Sequence, residues 1–292
     1  MKLGIDLGGT KIEGVVLSAS GIVLAKERVA TPQTYPAIID AIANLVDRLE
    51  ATAGGHASVG LGGPGAESAL TGRMKNSNTQ CINGEALRDD LSIQLGRQVR
   101  FSNDANCFAL SEAVDGAGAP YSSVFGVILG TGTGGGLVFN KQVLSGANGI
   151  AGEWGHTPMP NMTEGRLCYC GRKDCIETYL CGAGLVHSYR NAAGEALSAP
   201  EIVKCATGGD AQAAAVLDNY CRQLASALAV VINIVDPDVI VLGGGLSNIA
   251  MLYETVPQYW PNYVFSDQCV TKLLPAKYGD SSGVRGAAWL WG

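Results

Sequence analysis

Leu3-Gly4-Ile5-Asp6-Leu7-Gly8-Gly9-Thr10-Lys11 and Val124-Phe125-Gly126-Val127-Ile128-Leu129-Gly130-Thr131-Gly132-Thr133 decide the fold. In each, an apolar run of strand length (Leu3 to Leu7, Val124 to Leu129) stops on a glycine turn. Each is followed by a hairpin. Gly14 to Leu17 and Ile22 to Arg28 flank Ser20-Gly21, while Leu137 to Phe139 and Gln142 to Leu144 flank Asn140-Lys141. A strand, a glycine turn and a hairpin recurring about 120 residues apart imply an internal duplication, hence two related α/β lobes facing each other. A Rossmann pattern is excluded, because no G-x-G-x-x-G opens a helix after the first strand.

Other elements follow from periodicity. Ile38, Ile39, Ile42, Leu45, Val46 and Leu49 form a helical stripe over Pro36 to Ala51. Ser58 to Leu61 reads as a strand running into Gly62-Gly63-Pro64-Gly65. Val99 to Ser102 reads as another, ending at Asn103-Asp104, with a helix over Asn106 to Val114. Ala211 to Val235 is a long buried helix stopped by Asp236-Pro237, before a strand Val239 to Leu242 that ends in Gly243-Gly244-Gly245. Gly283 to Trp291 is a closing helix. The expected division is a small N-terminal lobe, 1–118, closed by the C-terminal helix 281–292, and a large lobe, 119–280.

Composition excludes several function classes. The 292 residues are 47% hydrophobic and 16% charged, enough for a large core, and the 40 glycines cluster at the ends of apolar runs without a collagen period. A net charge of −6 with no basic run of five disfavours nucleic acid as a partner. No apolar run reaches about 18 residues, so no membrane span is expected. Met1 to Thr10 lacks the apolar run of a signal peptide, so the expectation is a cytoplasmic protein whose cysteines are thiols or metal ligands.

Three constellations carry chemistry. Backbone N–H groups of Gly8 and Gly9, with the Thr10 hydroxyl and Lys11, suit a phosphate, and Asp6 at the strand end suits a water on Mg²⁺. Gly130, Thr131, Gly132 and Thr133 offer the same turn in the second half, and Gly243, Gly244 and Gly245 allow close approach to an adenosine. A nucleoside triphosphate gripped by two opposed turns is the reading they support. Asp104, at a strand terminus beside such turns, can accept the proton of an attacking hydroxyl, where in isolation Asn-Asp-Ala-Asn would be a turn and helix cap. His156, Cys168, Cys170 and Cys175 make a Cys₃His set in a long irregular loop, which points to a structural, four-coordinate Zn²⁺. Cys81, Cys107, Cys181, Cys205, Cys221 and Cys269 are scattered and read as small buried hydrophobes. Glu153 and Glu177 bracket the metal cluster and suit sugar hydroxyls.

Jointly these pieces resemble the ROK family of bacterial sugar kinases over the whole chain, within the sugar kinase, Hsp70 and actin superfamily. The carriers are Ile5 to Lys11, Gly63-Pro64-Gly65, Asn103 to Asn106, Leu129 to Gly132, Glu153 to His156, Cys168 to Glu177 and Gly243 to Gly245. The resemblance implies two ribonuclease H-like lobes around a cleft, ATP with Mg²⁺, and Asp104 as catalytic base. It implies Gly63, Asn78, Asn103, Glu153, His156 and Glu177 as sugar contacts, with one His156 nitrogen on zinc and the other available to a hydroxyl. Homodimerisation is a family expectation. Lys75 to Asn78, Ala151 to His156 and the Gly279 to Trp289 ending resemble the proteobacterial fructokinases most, so a hexose, with fructose favoured, is the expected substrate. N-acetylglucosamine and glucose kinases and a non-catalytic sugar-responsive regulator stand as alternatives. Two departures from the family pattern stand out: Gly63 where relatives often carry Ile or Ala, and Lys173-Asp174 in place of the glycine commonly found before the third zinc cysteine.

Overall fold

The apolar run at the start of the chain becomes β1 (Lys2–Leu7), the hairpin β2 (Lys11–Leu17) and β3 (Val23–Ala30), and the stripe α1 (Tyr35–Ala53), which ends on left-handed Gly54. The computed structural model describes Met1–Gly292, the side chain of Asp280 excepted. In chain order there follow β4 (Ser58–Gly63), the short strands β5 (Ala66–Glu67) and β6 (Met74–Lys75), α2 (Leu87–Gln94), β7 (Val99–Asn103) and α3 (Asp104–Val114). The second half supplies β8 (Ser123–Leu129), β9 (Thr133–Phe139), β10 (Gln142–Val143), α4 (Glu177–Leu180), α5 (Gly182–Ala193), α6 (Ala199–Thr207) and α7 (Ala211–Val235). It ends with β11 (Val239–Gly243), α8 (Met251–Tyr259), β12 (Lys272–Pro275) and α9 (Ser282–Trp289).

Sheet topology repeats as the duplicated motif requires. One sheet has the order β3-β2-β1-β4-β7 and the other β10-β9-β8-β11-β12. In the first, β1–β2 and β2–β3 are antiparallel while β1–β4 and β4–β7 are parallel. In the second, β9–β10 is antiparallel while β8–β11 and β11–β12 are parallel. Hairpins can close antiparallel pairs with short turns, whereas the parallel pairs need the longer crossovers that the helices provide.

The chain divides into two compact units: Met1–Pro120 with Gly136–Ala151 and Lys277–Gly292, and Tyr121–Gly135 with Gly152–Ala276. In the first unit α1 buries Ile38, Ile42, Leu45 and Val46 against the sheet. C-terminal α9 returns to pack on β1, β4 and α3. Glycines make that return possible. A Cβ on Gly4 would stand 2.0 Å from the Val284 carbonyl oxygen, and one on Gly60 1.8 Å from that of Ala287. On the helix itself, a Cβ at Gly286 would stand 1.6 Å from the Cys107 carbonyl oxygen. Fully buried Glu112 on α3 ties the same region together. It accepts hydrogen bonds from the backbone N–H of Ala117 (2.9 Å) and Lys277 (3.0 Å) and from the Ser282 hydroxyl (2.8 Å).

In the second unit α7 is the core helix. Asp210 caps its start by accepting from Ala213 N at 2.8 Å, and Asp236 closes it in the left-handed region at φ 49°. Trp154 anchors the long loop: its ring meets Phe125 edge-on and its indole N–H donates to the Ala227 carbonyl at 3.0 Å. Among the described residues no helix is long and apolar enough to cross a membrane.

Candidate functional site

Parallel pairing gathers the candidate residues of the first unit at the carboxyl ends of adjacent strands. Asp6 of β1 stands level with Gly62 of β4, and Gly63 with Asn103 of β7. Ligands collect at such strand ends because the loops that follow are free to be shaped for binding. The Gly8–Lys11 turn closes through Gly8 N to Lys11 O at 3.0 Å. Buried Thr31 braces it from outside, its hydroxyl donating to Gly8 O at 2.7 Å and its N–H to Thr10 O at 3.1 Å. Sequence reasoning missed Thr31, since nothing local marks a residue 23 positions from its partner.

Asp104 is the first residue of α3 and is exposed, with Oδ1 accepting from Ala105 N at 2.8 Å. Asn103 is the helix cap and accepts from Asn106 N at 2.8 Å. The helix thus begins two residues before the expected Asn106, because Asn103 supplies the cap oxygen that ends the strand and starts the turn. Burial, then repulsion from Asp104 and Glu13, pushes the Asp6 carboxyl up to about 6. A divalent cation would relieve that repulsion, so this carboxylate group fits Mg²⁺. Gly63 is buried, yet a Cβ there would meet only ordinary contacts at 3.6 Å, so the departure from Ile or Ala leaves space without being sterically required. Asn78 is exposed after β6, in a loop that Asn83 holds by a two-way pairing with the backbone N and O of Ser77, both at 2.9 Å.

The second unit holds the remaining candidates. The turn Gly130–Thr133 closes through Gly130 N to Gly132 O at 2.9 Å, and Gly182 N donates to Gly130 O at 2.9 Å. Gly243 ends β11 level with Ile128, and Gly244 (φ 80°) lies against Leu129, whose carbonyl oxygen a Cβ would approach to 2.5 Å. The third glycine turn is therefore packed beside Gly130–Thr133.

Four donor atoms of His156, Cys168, Cys170 and Cys175 all lie within 4.8 Å of one another. Cys170 and Cys175 sulfurs are 3.6 Å apart, and the Cys168 sulfur is 3.5 Å from His156 Nδ1. Tetrahedral zinc with ordinary bond lengths needs about 3.8 Å between sulfurs and about 3.6 Å between sulfur and nitrogen. The donor set fits zinc. Burial pushes the Cys175 thiol up to about 12, and a bound cation reverses such a shift by holding the thiolate.

The expectation that the other His156 nitrogen is available meets a finding: Nε2 is 2.9 Å from the Tyr169 hydroxyl, and the rings meet edge-on. Asp174 has φ 56°, which explains why glycine suits this place. Its carboxylate compensates by accepting from Gly165 N (3.0 Å), Arg166 N (2.9 Å) and the Tyr179 hydroxyl (2.6 Å). Glu153 is exposed just before the 3₁₀ turn Trp154–His156, and Glu177 opens α4. Of the scattered cysteines, Cys107, Cys181 and Cys221 are buried and Cys81, Cys205 and Cys269 half-buried.

Residues 2–292 match the ROK family. An N-acetyl-D-glucosamine kinase of Photobacterium profundum is 44% identical over 299 residues, covering 99% of each chain. A ROK hexokinase from Thermus thermophilus superposes with a TM-score of 0.88 at 31% identity, over 99% of this chain and 97% of that one. A ROK family glucokinase from Streptomyces griseus, in complex with glucose and AMPPNP, gives a TM-score of 0.78 at 28% identity, over 98% and 97%.

Proposed function

The chain belongs to the ROK family of sugar kinases, and on that premise we propose that it transfers the γ-phosphoryl group of ATP to the 6-hydroxyl of a hexose, with D-fructose as the preferred substrate. The observation that carries the reading is Asp104, exposed on the first turn of α3, where its strand ends in line with the strands that carry Asp6 and Gly63. In this mechanism Asp104 accepts the proton of the 6-hydroxyl as that oxygen attacks the γ-phosphorus, and ADP departs. The turns Gly8 to Lys11 and Gly130 to Thr133 steady the phosphates through the backbone N–H groups other than those of Gly8, Gly130 and Thr133, which close and brace the turns, and Gly243 to Gly245 admit the adenosine. Mg²⁺, held through water on Asp6, would spread the charge that develops on the phosphoryl oxygens. Gly63, Asn78, Asn103, Glu153 and Glu177 contact the sugar, and His156 does so by exchanging the Tyr169 hydroxyl on Nε2 for a sugar hydroxyl. His156, Cys168, Cys170 and Cys175 would hold a zinc ion whose part is to order their loop, and not to act on the substrate.

Fructose rests on the Lys75 to Asn78, Ala151 to His156 and Gly279 to Trp289 stretches. The relatives quoted above do not support it. N-acetyl-D-glucosamine is accordingly a second reading, favoured by the 44% identical Photobacterium protein. The deciding experiment measures ADP release from ATP–Mg²⁺ with fructose, mannose, glucose and N-acetylglucosamine. The highest kcat/KM on fructose supports the proposal, and the highest on N-acetylglucosamine replaces it with the second reading. No turnover on any of the four overturns both. A cytoplasmic homodimer belongs to the same reading and is tested by sedimentation.

A further inference from the structure

Glu177 stands two residues beyond the last metal-ligating cysteine, yet its carboxylate reaches out of the metal loop. Oε2 accepts a hydrogen bond from Thr133 N at 2.9 Å, while Oε1 lies 3.9 Å from the Cys168 sulfur. The partner is the last residue of the glycine turn Gly130–Thr133. Two further contacts link the same pieces. A Cβ on Gly132 would stand 2.6 Å from Glu177 Oε2, so the absence of a side chain there is what admits the carboxylate. Gly155, beside His156, packs so close that a Cβ would stand 1.9 Å from the Thr133 carbonyl oxygen.

A turn of glycines has many conformations to lose before its N–H groups can converge on a phosphate. Fixing it in advance removes that entropic penalty from binding. A charge-assisted bond from a carboxylate to a backbone N–H is the strong kind of tether. We propose that Glu177 is a positioning residue for the nucleotide: it carries the order of the metal loop into Gly130–Thr133, so that nucleotide affinity depends on this carboxylate oxygen and on metal loading. This rests on the reading of Gly130–Thr133 as a phosphate turn, and it adds a second duty to a residue otherwise assigned to the sugar.

The test is calorimetric binding of AMPPNP–Mg²⁺, without sugar, to the zinc-loaded full chain, with zinc content and melting temperature recorded for each variant. Glu177→Ala should weaken nucleotide binding about tenfold, as loss of a hydrogen bond to a charged group implies, whatever it does to hexose affinity through the sugar contact. Glu177→Gln keeps an acceptor oxygen and should bind within about twofold of the original. Gly132→Ala should weaken binding like Glu177→Ala, because its methyl group displaces the carboxylate. Added to Glu177→Ala it should cause no further loss, since the clash has gone. Removing zinc with a chelator should weaken binding in the original chain and much less in Glu177→Ala. Unchanged nucleotide affinity in Glu177→Ala, or a loss confined to the hexose, overturns the proposal. If Glu177→Ala does not fold, Gly132→Ala against Glu177→Gln decides: the first weakened and the second normal supports the tether, and both normal removes it. A starting protein that binds no AMPPNP at all refutes the kinase reading itself, which is a different outcome from normal binding in every variant.

Discussion

Replacing Asp6 by Asn should make the protein more stable at neutral pH while removing its activity. Asp6 is held by burial, and by the nearby negative charges of Asp104 and Glu13, at a pKa of about 6 against an ordinary 3.8. Below about pH 4 the carboxyl is protonated folded or unfolded and contributes nothing to the pH dependence. Between about 4 and 6 the folded chain keeps a proton that the unfolded chain has released, so stability falls as pH rises. Above about 6 both states are ionised and the whole penalty is present. Two units at about 1.4 kcal/mol each give about 3 kcal/mol. Part of this is screened by water at the half-buried strand end, leaving about 2 kcal/mol. Asn has similar shape and no charge, so at pH 7.5 the melting temperature should rise by about 5 °C, for a chain of this size, and at pH 4 it should not change. Calorimetric melts of both proteins at pH 4, 5.5 and 7.5 check this, with added ATP–Mg²⁺ raising the original melting temperature more than the variant's. A variant that melts lower at pH 7.5, or whose difference from the original is the same at all three pH values, would refute the reasoning.

Asp104→Asn should lower kcat roughly 10²- to 10⁴-fold, with nucleotide binding retained, because it removes a general base and leaves the helix start intact; a near-normal kcat removes Asp104 from the role. Metal analysis should find one zinc per chain and none in Cys175→Ser, and chelation should expose the segment from Thr157 to Thr178 to proteases. Zinc should be released as pH falls, because protons compete for His156 and the thiolates, and retention of the metal at pH 4 would contradict the site. Gly286→Ala should destabilise the first unit by more than about 3 kcal/mol, since its Cβ would stand 1.6 Å from the Cys107 carbonyl oxygen where backbone must move; an unchanged melting temperature would refute the close packing of α9 on α3.

Local signals account for what the sequence determined alone. The two runs ending at Leu7 and Leu129, with their glycine turns and hairpins, specify β1 to β3 and β8 to β10, because strand period and turn chemistry act within a few residues. Ala211 to Val235 is legible to the residue for the same reason, with Asp210 and Asp236 as its caps. The spacing of Cys168, Cys170 and Cys175 announces a metal set, and Asn103-Asp104 announces a strand end. Helices α2, α4, α5, α6 and α8 and strands β5, β6 and β12 carry no such signal, being short or having broken apolar patterns. Tertiary structure decided the rest. That Thr31 braces Gly8, that Tyr169 meets His156 and that Glu177 ties down Thr133 depend on how separate elements pack and pair. The parallel register of β1, β4 and β7 likewise sets Asp6, Gly63 and Asn103 side by side. Such contacts join residues far apart in the chain, and the free energy that selects them comes from burying whole helix and sheet faces, which no short stretch of sequence contains.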